Sequence, residues 1–144
     1  MHDNRPLALA GALLGLLAGA LAATGQFLPV VLDRHPSNLG FLVMGTNVVS
    51  LLVSPVALFG VGYWVGTDVD VTTEWASIAL VVGLVGGAAT LVGYLVVALL
   101  SVRPDAGREI TMIVVTAGYT AIVRVFDFAI TGLAGAAVAE FRGA

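Results

Sequence analysis

Arg124 and Asp127 stand three residues apart in GYTAIVRVFDFAITG, residues 118–132, an otherwise apolar stretch. At that spacing on a helix a guanidinium and a carboxylate can reach each other. In a medium of low dielectric a paired charge costs far less than an isolated one. Two kinds of chemistry suit such a pair. One is structural, a neutralised couple that sets helix register. The other is an intramembrane pathway for an ion, an anion or a proton, since ionisable groups inside a bilayer often mark one. A further reading is that the stripe faces a partner subunit, which its exposure at the outer surface of the bundle would favour. On a helix Thr116, Thr120 and Thr131 join them within roughly 80° of circumference. Val115, Ile122, Phe126, Ala129 and Leu133 are expected on the opposite, lipid-facing side.

A second polar face is expected to complete this network. Asn47, Ser50 and Ser54 fall within roughly 60° of one another on a helix. Pro55 follows; lacking an N–H, it leaves the carbonyl of Leu51 as a further acceptor for Arg124. Thr90 and Tyr94 share a face with Gly83 and Gly87, from which they too could join.

The elements that must position these residues are membrane spans. Hydrophobic residues make up 59% of the 144 and charged residues 10%, too little charge to cover a water-facing surface. The expected fold is an all-α integral membrane protein, a compact bundle of four transmembrane helices with short connectors. It forms a single domain over residues 1–144, with helices at about 6–28, 39–66, 75–102 and 110–139. Each exceeds the roughly 20 residues needed to cross the hydrocarbon. The connectors DRHPSN, GTDVDVTT and RPDAGRE supply the Pro, Gly and capping residues that helix ends require. The first span, MHDNRPLALAGALLGLLAGALAATG, also carries the parts of a signal peptide; it is read as a retained helix.

Insertion energetics make the fourth span unusual. Central Arg and Asp together cost roughly 5–7 kcal/mol, and its Leu, Ile, Val and Phe residues return about 4–7 kcal/mol. Those terms nearly cancel, so this helix depends on partners. Gly11, Gly15 and Gly19, continued by Ala23, and Ala79, Gly83 and Gly87 repeat every four residues. Such seams admit close helix packing, within the bundle or between copies.

Residue types exclude much else. Without Cys there is no disulfide or thiolate chemistry, and without Lys no Schiff base. No catalytic constellation, metal site or cofactor is expected: the acids of DVDVTTE lack the rest of a calcium loop, and His2 and His35 lie far apart. A net charge of −3 with no basic patch disfavours nucleic acid. The acid-biased, lysine-free composition suits a halophile. Arg34, Arg103 and Arg108 on one side against Arg5 and Arg142 on the other place both termini outside the cell membrane. The expected function is that of a small non-enzymatic membrane subunit, packing in an assembly or self-associating as a homo-oligomer, its partners the lipid bilayer and other membrane chains. Its Arg124–Asp127 pair is expected to be buried inside the bundle, on the polar face of the fourth helix. The alternative is a minimal transporter or channel using Arg124 and Asp127. A shift of 70 residues, which aligns Thr46 with Thr116, Ser50 with Thr120, Ser54 with Arg124 and Gly62 with Gly132, hints at duplicated hairpins.

Overall fold

A computed structural model describes residues 5–32, 36–67, 71–101 and 107–143. Four α-helices account for nearly all of them: α1 (Arg5–Leu32), α2 (Pro36–Gly66), α3 (Val71–Ser101) and α4 (Gly107–Gly143). Each matches an expected span and extends past it by up to four residues at most ends. Once a helix is nucleated, adding a residue adds a hydrogen bond, so polar flanking residues join the rod. Pro55 lies inside α2, and α4 is unbroken for 37 residues. All four helices contain a stretch long and apolar enough to cross a membrane.

Around the bundle the order is α1, α3, α4, α2, closing back on α1; among the described residues α1 and α4 barely meet. The parallel pairs are therefore neighbours. Gly11, Gly15 and Gly19 of α1 advance along Val82, Gly86 and Thr90 of α3. In the second parallel pair, Gly62 lies on Gly132 and Gly66 on Ala136. Positions 70 residues apart thus stand opposite one another across the α2–α4 seam.

Small residues set these distances. A Cβ at Gly19 would strike the Thr90 carbonyl oxygen, and one at Gly62 that of Gly132. Gly83 and Gly87 perform the same role where α3 crosses α4, receiving Val125 and approaching Ala121 and Ala129. Close approach of this kind brings backbone against backbone and supplies dispersion contacts that hold the helices together. The seams of small residues are internal to the bundle.

Two buried clusters fill the interior. Leu7, Ala18, Leu58, Ile78, Val82 and Phe128 bring all four helices together. Toward the other end Ala23, Tyr94, Ala98, Ile113 and Ala117 pack with Phe27. Tyr94 donates to Gln26 Oε1 and meets the edge of the Phe27 ring. Elsewhere hydroxyls fold back on their own helix, Thr24 to the Ala20 carbonyl at 2.7 Å and Thr90 to that of Gly86 at 2.8 Å. These bonds leave the polar atoms satisfied without water.

Gly62→Ala is expected to destabilise the bundle by about 1–3 kcal/mol, because backbone must move to admit the methyl. Gly40→Ala, which meets nothing within 4 Å, is expected to be neutral or slightly stabilising. Thermal unfolding of the two variants in detergent, followed by circular dichroism, checks the contrast.

Candidate functional site

On α4 the buried positions are Ile113, Ala117, Ala121, Phe128, Gly132, Gly135, Ala136 and Ala139. They define the face turned into the bundle, and its centre is apolar. The polar residues lie beside it, about 80° round the helix, on the shoulder that borders α2. Thr116, Thr120 and Thr131 are partly covered there. Val115, Ile122 and Phe126 do face outward. Ala129 and Leu133 do not: Ala129 lies near Gly83 and Leu133 packs on the first cluster. Small residues, which let backbones approach, have taken the inward face and displaced the stripe sideways.

The ion pair forms at the expected spacing, Arg124 Nη1 to Asp127 Oδ2 at 3.7 Å. Its two members differ in surroundings. The Arg124 side chain is 17% exposed and that of Asp127 54%. A pair enclosed inside the bundle is the sequence expectation, and Asp127 corrects it: its carboxylate looks out of the bundle. The backbone dictates this, because three residues turn the helix by about 300°. With Arg124 beside α2, Asp127 comes round on the outer side.

Arg124 Nη2 also donates to Ser50 Oγ of α2, at 3.2 Å. Ser50 is buried, 5% exposed, so a charged donor meets a hydroxyl in a dry seam, where such a bond is strong. The expected link between the second and fourth helices is thus present through Ser50. The side chains of Asn47 and Ser54 lie outside the described residues, as do Arg34, His35, Arg103 and the acids at 68 and 70. Thr90 and Tyr94 do not join. Both are buried, Thr90 bonded to its own helix and Tyr94 to Gln26. Gln26, the lone amide of the first apolar span, is a partner that the polar faces of the other helices do not point to.

Arg124 lies roughly 20 Å or more from either end of the apolar stretch Ile110–Arg142. Apart from Arg124 and Asp127, the charged residues of the four candidate spans lie only near helix ends. Among the described residues no group of His, Asp and Glu could hold a metal ion. The arrangement offers an anchored cation, an outward carboxylate and a flanking row of hydroxyls. Among the described residues no nucleophile is paired with a base there. Comparison with protein-family models, curated proteins and solved structures finds no match.

Ser50→Ala is expected to cost about 1.5–3 kcal/mol, the loss of one hydrogen bond to a charged donor. Arg124→Leu or Asp127→Leu should cost about 3 kcal/mol or more, since each leaves the opposite charge alone. The double Leu variant should recover most of that loss. Unfolding in detergent across this double-mutant cycle measures the coupling.

Proposed function

We propose that this chain is a multi-pass integral membrane protein that acts as a non-enzymatic subunit of a membrane assembly, with the α2–α4 shoulder as its contact face. The bilayer placement is supported by four apolar stretches of 21 to 33 residues and an outer surface of Leu, Val, Ile and Phe. Trp64 and Trp75 are exposed at the ends of α2 and α3 nearest the acidic connector, where indoles favour the headgroup region. The arginine counts of the connectors favour both termini outside the cell membrane.

The observation that carries the subunit reading is the outward Asp127 carboxylate, 54% exposed near the middle of its span. Lipid cannot solvate it, and charged side chains at that depth face other protein or water. A partner chain that covers the shoulder removes it from hydrocarbon. The row of Thr116, Thr120 and Thr131 extends the same contact along the helix with short side chains suited to close packing.

The same open carboxylate favours a second reading. If water reaches the shoulder, Arg124 and Asp127 line a path for an anion or a proton, and the chain is a minimal transporter or channel. The two readings separate on flux. Reconstituted protein should resist alkaline carbonate extraction, as an integral protein does, and should pass neither protons nor chloride. Extraction with carbonate would remove the membrane reading. A folded Arg124→Leu, Asp127→Leu variant that abolishes a flux carried by the native protein would replace the subunit with a transporter.

A further inference from the structure

Whatever covers Asp127 must suit both charges on that shoulder. We infer that the occupant is a second copy of this chain, docked shoulder to shoulder so that each Arg124 meets the partner's Asp127 as well as its own. This rests on the membrane-subunit reading and names the partner of the same face.

Charge balance carries the choice. The shoulder presents one cation and one anion, already 3.7 Å apart and neutral in sum. A foreign helix that offered a single cation to Asp127 would leave one uncompensated positive charge at mid-depth, the costly state. A second copy brings one charge of each sign, and four alternating charges remain neutral. A twofold axis along the membrane normal keeps equivalent residues at equal depth. Arg124 and the partner's Asp127 then differ in height by three residues, about 4.5 Å, within reach of an arginine side chain.

The available donors agree. A guanidinium has five N–H groups in a planar fork, and among the described contacts Arg124 uses Nη1 toward Asp127 and Nη2 toward Ser50. The carboxylate is reached through Oδ2, and its exposed side accepts from a neighbour. Thr120 and Thr131, on either side of the pair along the same shoulder, place hydroxyls where the two α4 helices would meet.

The absence of native cysteine makes the test clean. In bilayers, Val123→Cys, one turn from Asp127 on the shoulder and 39% exposed, should cross-link two copies. Ile122→Cys, 61% exposed on the far side of α4, should not. Both variants keep the ion pair, so folding is not at issue. Self-association is then measured by energy transfer between labelled copies. Asp127→Asn alone and Arg124→Gln alone should each associate at least about tenfold more weakly than the native chain. Mixed together, they should form heterodimers in preference to either homodimer, because one Arg124–Asp127 pair between copies survives only in the mixture.

A native chain that is folded and membrane-inserted but monomeric would overturn the inference and leave the subunit reading standing. Cross-linking through Ile122→Cys in place of Val123→Cys would overturn it too, as would a mixture with no preference for heterodimers. Native protein that fails to insert would instead defeat the membrane reading itself.

Discussion

Asp127 is a carboxylate whose exposed neighbours on α4, Tyr119, Ile122, Val123, Phe126 and Ile130, carry no charge. In water such a group would be of no consequence. At the middle of an apolar helix it constrains everything near it: Arg124 must stay within reach, Ser50 must hold the guanidinium in place, and the outward side needs cover. The 3.7 Å contact to Asp127 and the 3.2 Å bond to Ser50 show the first two conditions met inside one chain. The third is what gives the shoulder its proposed role.

Packing explains why the pair sits at the edge of the bundle. Glycine and alanine occupy the lines where helices touch, because only they allow backbones to approach closely. Gly62 on Gly132 and Gly19 on Thr90 lock the two parallel pairs, and Phe128 fills the centre. A long guanidinium and its partner have no room on those lines. They occupy the groove beside them, where one charge can be shielded by α2 and the other cannot. Interior polar groups that do fit, such as Thr90 and Tyr94, are neutral and have partners of their own.

The four helices were legible because each is a long apolar run stopped by Pro, Gly or charged residues, a signal that needs no knowledge of packing. The ion pair was legible from its spacing, and Ser50 from the polar face of α2. The direction of the stripe was not. In a soluble helix the apolar side marks the interior, but in lipid both sides are apolar and that signal vanishes. Ala129 and Leu133 were assigned to lipid for that reason, and they pack inward. The pairing of α1 with α3 and the meeting of Gln26 with Tyr94 depend on helix order around the bundle, which hairpin connectivity leaves open.

As proposed, the shoulder of α4 lies at hydrocarbon depth under a cover of protein. A nitroxide at Val123→Cys in reconstituted bilayers reads this directly through its collision rates with oxygen, which dissolves in lipid, and with a water-soluble nickel chelate. Low access to both is expected, while the same label at Ile122→Cys collides freely with oxygen. High oxygen access at Val123 would mean bare lipid against the carboxylate, and high nickel access would mean water. Either result would mean that no protein covers the shoulder.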